Sequence, residues 1–504
     1  MKFNSVIKGK NKAVNYEGAE AYRLLPEWAL YVAAVTSSLN DKFYENTNSR
    51  IETLRQLIAK CEPSFVAKLA VYARRKMNLR SIPLVLAVEL AKVHRGDATV
   101  RKMVAQVVQR ADEITELLAY YQFANEREET KKLNRLSKQL QAGLQDAFNC
   151  FDEYQFAKYN REAEIKLRDA LFLVHPKSKD ESQQILFDKI VNDTLEIPYT
   201  WETELSALGQ AKYANEKEKS VAFRMKWEEL IDSRKIGYMA LMRNLRNILE
   251  AEVSQQHVIA VCSALSSAEA VRRSKQLPFR FLAAYREISK VTSADAGKVL
   301  DALEQAVSMS AANIKGFDND TKVLIACDVS GSMQKPISPK SKILLYDIGL
   351  MLAMLLKSRC KNAITGMFGD TWKVINVPTQ GILANVDAFY RREGEVGYST
   401  NGYLVIKDLI ERKIKMDKVM IFTDCQLWNS RNDKKISDLW NTYKMISPDS
   451  KLYLFDLSGY GTVPLDITRE DVYLIAGWSD KIFDIVAAID NGGNALDEIR
   501  KVEL

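Results

Sequence analysis

The chain has 504 residues, 47% hydrophobic and 27% charged, which predicts a soluble protein of two or more domains with a large core. Six cysteines form no CxxC pair and the three histidines are scattered, which excludes a zinc site or a disulfide framework and favours a reducing cytoplasm. Net charge is +7, placed unevenly: 19 Lys and Arg against 9 Asp and Glu in residues 1–110, 29 against 33 in 111–320, and 24 against 23 in 321–504.

From the N-terminus, MKFNSVIKGKNK has no apolar core and predicts no secretory signal. Residues 1–315 read as helix after helix. In PSFVAKLAVYARRKMNLRS, residues Phe65, Val66, Leu69, Ala70, Ala73 and Met77 repeat with the helical period. Lys68, Arg75, Lys76 and Arg80 fall outside that stripe. Pro83 opens the next helix, PLVLAVELAKV, and Gly96 closes it. The stretches DATVRKMVAQVVQRADEITELLAYY, EETKKLNRLSKQLQAGLQDAFNCF, SVAFRMKWEELIDS and YMALMRNLRNILE continue the pattern. No strand is expected among them. A degenerate solenoid of helical pairs satisfies the pattern without a strict repeat.

Near residue 320 the pattern changes. KVLIACDVS, NAITGMFGD, KVMIFTDCQ and KLYLFDLSG predict buried strands. Helices are expected in KSKILLYDIGLMLAMLLKSR, NGYLVIKDLIERK and SDLWNTYKMIS. The alternation predicts a parallel sheet covered on both faces. The longest apolar run, ILLYDIGLMLAMLL, has 14 residues and contains Asp347, so it suits a buried helix rather than a membrane span. The boundary falls in IKGFDNDT at Gly316, giving domains 1–318 and 319–504.

The segment CDVSGSM places Asp328, Ser330 and Ser332 in the loop leaving the first of these strands. Ligands of parallel α/β sheets bind at the carboxyl ends of strands. Three oxygens at alternate positions can turn toward one point, as a hard divalent cation requires. Thr400 in GYSTNG and Asp424 at the end of KVMIFTD complete a set of five. The set resembles the metal-ion-dependent adhesion site of von Willebrand factor A domains, in that family's order. The resemblance implies one divalent cation, Mg2+ foremost with Mn2+ or Ca2+ as alternatives, whose open position accepts an acidic side chain of a partner protein. A serine-rich turn with Asp424 as a helix cap is the plainer reading. Ser330 stands where a phosphatase would carry a second carboxylate, and there is no G-x-S-x-G elbow, so catalysis is not expected.

The stretches LAVYARRKMNLRSIPLVLAVEL, TWETELSALG, MALMRNLRNIL, KQLPFRFLAAYREI and AGWSDKIFDIV resemble the TROVE module and closing domain of the Ro autoantigen family, in the family's order. The fold class this implies is multidomain and mainly α: a HEAT-like helical ring closed by an α/β Rossmann-like von Willebrand factor A domain. The family binds small noncoding Y RNAs on its outer surface and threads single-stranded 3′ ends of misfolded RNAs into a basic hole. Its bacterial members are linked to exoribonuclease-assisted processing and decay. The implied protein is a monomeric, cytoplasmic, non-enzymatic ring, away from membranes, acting in RNA quality control.

The positive excess near the N-terminus agrees with a polyanionic partner. Arg74, Arg75, Lys76 and Arg80 are the expected lining of the basic channel, with a solvated helix face as the alternative. Asn244 and Arg246 in RNLRN are expected toward the interior, with a helix-capping role as the alternative for Asn244. In KYNREAEIKLRDALFLVHPK, Lys158, Arg161, His175 and Lys177 match or neighbour the family's RNA-contact cations. The family's proline follows the lysine, whereas Pro176 precedes Lys177, and Glu162 and Glu164 would weaken phosphate binding there. Trp201, Phe279 and Phe281 are expected in the core rather than stacked on bases. A protein-binding adaptor with the helical part as scaffold is the alternative function, and a metal-dependent nuclease a more distant one.

Overall fold

The computed structural model describes residues 11–37, 47–125, 136–160, 164–312, 314, 317, 320–339, 341–428 and 435–504. The chain forms two compact units, one of Met1–Leu54, Tyr238–Glu250 and Ser254–Glu498, the other of Arg55–Gly237, Ala251–Val253 and Ile499–Leu504.

The first unit is built on a sheet. A short hairpin, β1 (Lys12–Val14) and β2 (Glu20–Arg23), precedes the main strands. These are β3 (Lys322–Asp328), β4 (Asn362–Phe368), β5 (Trp372–Val374), β6 (Lys418–Thr423) and β7 (Lys451–Asp456), followed by β8 (Thr462–Val463) and β9 (Val472–Ala476). The six-stranded sheet has the order β5-β4-β3-β6-β7-β9, parallel except for the β5 edge. β3 is flanked by β4 on one side and β6 on the other, so the chain reverses its direction of growth at β3. That reversal opens a crevice at the carboxyl ends of β3 and β6. Strands β3, β4, β6 and β7 occur where the apolar runs predicted them. The runs are continuous because both faces are covered, and the helix Leu345–Lys357 is buried along its whole length.

Within this unit the helix Phe279–Ile288 is clamped to Leu345–Lys357. Arg286 donates to both carboxylate oxygens of Asp347, at 2.7 and 2.9 Å, and Asp347 is fully buried. Asp347 also accepts the Leu344 N–H at 2.8 Å, capping the start of its helix. The bidentate pair satisfies the charge that the apolar run carried into the core.

The second unit is helical. The helices Pro63–Arg75, Ser81–Val93, Thr99–Val107, Ala111–Ala124 and Lys138–Phe148 pack in sequence neighbours and next-neighbours. Phe65, Val66, Leu69, Ala70, Ala73 and Met77 are all buried, as their period predicted. Gly143 sits where a Cβ would lie 2.6 Å from the Val104 Cβ, so its missing side chain allows two helix backbones to touch.

Several expectations need correction. The N-terminal region is not purely helical: β1 and β2 pair antiparallel, and β2 joins β8 through Tyr22 with Val463 and Arg23 with Thr462. Strands β5 and β9 were also unforeseen. The long pattern from Asp97 breaks at Val108–Arg110, where Arg110 caps the helix that starts at Ala111. The helix containing Pro83 starts at Ser81. The spatial units depart from a division at 318/319. Met1–Leu54 and Tyr238–Glu250 belong with the sheet. The β2–β8 pairing holds the first, as does buried Arg50, which donates to the Gly459 and Ser458 carbonyls. Gly316 lies outside the described residues.

Candidate metal centre and nucleic-acid interface

Asp328 ends β3, and Asp424 follows Thr423, the last residue of β6. Both lie in the crevice at the switch of strand order. Ser330 and Ser332 follow in the tight turn after β3, and Thr400 precedes the helix Tyr403–Glu411. All five side chains are buried, at 5% exposure or less.

Hydrogen bonds tie the three loops together. Gly331 N–H donates to the Tyr398 carbonyl at 2.9 Å, and Trp428 N–H donates to the Thr400 carbonyl at 2.9 Å. Asp328 accepts from Ser330 N–H at 2.9 Å and from the Thr423 hydroxyl at 2.6 Å. The Ser330 and Ser332 hydroxyls are 3.3 Å apart. Cys425 adopts a left-handed backbone, φ 63°, immediately after Asp424, a conformation that bulky residues rarely hold outside functional turns.

The electrostatics of this pocket are unbalanced. Burial, and then the neighbouring Asp424, push the Asp328 carboxyl up to about 7. Burial also pushes Asp424 up. Among the described residues no Lys, Arg or His forms an ion pair with either. Asp424 Oδ2 and Thr400 Oγ1 are buried with no hydrogen-bond partner. Two adjacent buried carboxylates, one with an unpaired oxygen and neither with a counter-charge, are costly unless a cation joins them. The donor set of two carboxylates and three hydroxyls suits a hard divalent cation. Among the described residues there is no cluster of three or more His, Cys, Asp or Glu placed for a metal. The oxygens here are mainly hydroxyls, so a softer transition-metal site is not what this pocket offers.

Gly369, in the loop after β4, accepts from Asn401 N–H at 3.2 Å, beside Thr400. A Cβ at Gly369 would strike the Gly397 carbonyl. Gly369→Ala is therefore expected to displace the loop carrying Thr400 and weaken divalent-metal affinity about tenfold, with the fold intact by circular dichroism. An unchanged affinity would show that the loop yields without moving Thr400.

The expected RNA-contact residues divide sharply. Arg74 donates to the Val107 carbonyl at 3.0 Å and to Glu113, which is fully buried, at 2.7 Å. Arg80 meets Asp112 and Glu116, both at 2.6 Å, and Glu113 at 3.4 Å. These two guanidiniums are committed to carboxylates of the helix Ala111–Ala124. Arg75 and Lys76 are exposed, and Arg75 reaches Gln106 Oε1 at 2.8 Å. Lys102, one turn before Gln106 on the same helix, is also exposed and without an ion pair among the described residues. Arg75, Lys76 and Lys102 are thus exposed cations of the helical unit, the first and last linked through the helix face that carries Gln106. Lys102 was not foreseen, although its spacing of four from Gln106 marks a shared helix face.

Asn244 is buried at the break between the helices Tyr238–Arg243 and Leu245–Glu250. Its side chain donates to the Ala240 carbonyl at 2.9 Å and accepts from Asn247, a structural role. Arg246 is exposed and lies 3.7 Å from Glu250 and 3.6 Å from Glu287. Lys158 stands over the rings of Tyr154 and Tyr159 at 5.5 and 5.8 Å. Arg161 lies outside the described residues. His175, left-handed at φ 49°, ends the helix Leu167–Val174. Gln145 and Asn149 hold the carbonyls of His175 and Lys177, so the turn presents both side chains outward. Phe279 and Phe281 are buried, as expected of core aromatics, whereas Trp201 is only half-buried, stacked on buried Trp227 at 6.4 Å.

Residues 29–219 and 193–326 match the family model described as the TROVE domain, together more than half of the chain. The chain is similar to telomerase protein component 1 of Mus musculus, 27% identical over 341 residues, taking in 52% of this chain and 12% of that protein. The Rattus norvegicus protein of the same name matches with the same identity and coverage. The chain thus spans only a small part of the length of these curated relatives. The structure is similar to the crystal structure of the Deinococcus radiodurans Ro (RSR) protein, with a TM-score of 0.57 and 17% identity. That likeness covers 93% of this chain and 100% of the other. Among the described residues no helix is long and apolar enough to cross a membrane.

Proposed function

The chain belongs to the Ro/TROVE family, and from that premise we propose that it is an RNA-binding ribonucleoprotein component. Its RNAs are small structured noncoding, Y-like RNAs and the single-stranded 3′ ends of misfolded or extended RNAs, in quality control, processing or decay. The TROVE match over the helical sequence carries this reading. The exposed cations Arg75, Lys76 and Lys102 support it, because single-stranded RNA is held without sequence readout by cationic surface.

A divalent cation, Mg2+ foremost, is the second part of the proposal. Asp328, Ser330, Ser332, Thr400 and Asp424 would hold it, and the orphaned Asp424 and Thr400 oxygens support that reading. When bound, the ion would neutralise the two carboxylates and offer a Lewis-acidic position to an acidic side chain. The chain's own residues then fix the loops, and with both carboxylates taken up by the ion the reading is a binding site rather than an active site. This uncompensated pair is also what favours the alternative, an adaptor that docks proteins through the α/β part.

Salt dependence separates these readings. Binding of a single-stranded RNA to the full chain is expected to weaken steeply as salt rises. Alanine at Arg75, Lys76 and Lys102 together is expected to lower the slope of log K against log salt by about 2. Filter binding across a salt series measures both. Wild-type binding that is absent or indifferent to salt would favour the adaptor.

A further inference from the structure

We propose that a cleft in the helical unit, between the turn 149–152 and the helix Glu181–Asn192, holds a single nucleotide, with its base on the cleft floor and its phosphate at Lys179. A free mononucleotide and one nucleotide of an RNA share this chemistry, and the test below separates them.

The cleft has a volume of about 380 Å³, within the roughly 300–1,000 Å³ typical of small-molecule sites. Capped helix ends set its shape. The helix Lys138–Phe148 stops before the turn, and the helix Glu153–Tyr159 starts after Asp152. Asp152 Oδ1 accepts the Gln155 N–H at 2.7 Å, and Gln155 Oε1 accepts the Asp152 N–H at 2.9 Å. Across the cleft, Asp180 caps Glu181–Asn192 by accepting the Gln183 N–H at 2.8 Å. Buried Gln183 ties the two sides together, donating to the Phe148 and Phe151 carbonyls at 3.1 and 3.4 Å. Hydrogen bonds therefore fix both walls before any ligand arrives.

The lining divides by chemistry. Phe151 and Leu186 are buried and form the floor, and Ile185 beside Leu186 extends it as an apolar strip, 54% exposed. Covering that strip with a flat apolar face is favourable. On the rim, the amines of Lys179 and Lys189 are matched by the carboxylates of Asp152 and Glu153, and Lys189 meets Glu153 at 2.7 Å. The rim thus offers donors and acceptors together. A bare anion is disfavoured, because each helix N-terminus here already holds its own aspartate. A hydrocarbon chain would set methylene groups against the rim charges and strip their hydration. A nucleobase has a flat face for the strip and an edge of mixed donors and acceptors for the rim. Lys179 supplies the phosphate contact. Its Nζ donates to the Asn149 carbonyl at 3.0 Å and its backbone N–H to Asn149 Oδ1 at 3.1 Å, which holds the amine in place. Lys179 forms no ion pair among the described residues, so the other N–H groups of its ammonium remain for a phosphate.

Calorimetric titration of the full chain with adenosine 5′-monophosphate and with adenosine tests the assignment, alongside Ile185→Ser and Lys179→Ala. Both side chains are exposed, and circular dichroism checks that the variants keep the fold. Ile185→Ser is expected to weaken both ligands about tenfold. Lys179→Ala is expected to weaken the monophosphate about fivefold and adenosine less than twofold. A wild type that binds no monophosphate would overturn the proposal, as would binding that neither substitution alters. A Lys179→Ala that weakens both ligands equally would overturn it too, since the amine would then not meet the phosphate. Competition by pentaadenylate RNA reads the source of the nucleotide. Displacement of the monophosphate in the wild type, with pentaadenylate itself weakened by Ile185→Ser, assigns the cleft to RNA. Monophosphate binding undisturbed by the RNA assigns it to a free nucleotide.

Discussion

Asp328→Ala is expected to abolish divalent-metal binding, lowering affinity by about two orders of magnitude or more, because it removes one of only two carboxylates in the donor set. Isothermal titration with Mn2+ reads the loss directly. Melting curves read it a second way: Mg2+ should raise the wild-type transition and leave that of the variant unmoved, since only a native state that binds the ion gains from it. The same variant is expected to keep its RNA affinity within about twofold. Asp328 belongs to the compact unit containing the sheet, while Arg75, Lys76 and Lys102 belong to the other. A folded Asp328→Ala that loses RNA binding would mean that the cation and the RNA share one function.

Glu113→Gln is expected to cost the helical unit roughly 3–5 kcal/mol. The Glu113 side chain is fully buried and receives three donors, Arg74 at 2.7 Å and the N–H groups of Gln109 and Arg110 at 2.8 and 3.1 Å, with the Arg80 guanidinium as a further ion-pair partner at 3.4 Å. The amide would turn N–H groups toward some of these donors and leave the Arg74 guanidinium, which is mostly buried, without its counter-charge. Its amide oxygen can keep the cap of the helix Ala111–Ala124 only by turning the amide N–H2 toward Arg74 and Arg80. Urea unfolding followed by a probe in the helical unit measures the effect, with exposed Arg75→Gln as a control expected within about 0.5 kcal/mol of wild type. A loss under about 1 kcal/mol in Glu113→Gln would show that Arg74 and Arg80 find other partners or water.

These two residues differ in how far a linear pattern can locate their surroundings. The Asp-x-Ser-x-Ser set was legible because its spacing is local and strand ends are where parallel sheets place ligands. The four central strands announced themselves as continuous apolar runs. By contrast, Arg74 and Arg80 read as free cations. Their carboxylate partners lie on another helix, 32 to 39 residues later, and no local pattern links them. The strands KAV and EAYR are too short to signal themselves, and the partner of the second is near the far end of the chain. Asn244 lay inside an unbroken helical pattern, yet its side chain bonds to the backbone one turn back and ends the helix there. Interactions that join distant segments are what the linear pattern leaves unwritten.

The pairing of Arg23 with Thr462 has a consequence for how the protein is made. Translation proceeds at roughly 5–20 residues per second, so a ribosome takes roughly 20–90 s to travel from the first of these residues to the second. Throughout that interval the outer edge of β2 has no strand to join, and the nascent chain carries an open edge ready to pair with any other. Completion of that small sheet therefore waits until the second of these residues has been made, and a chain stalled before it leaves β2 exposed as an adhesive strand.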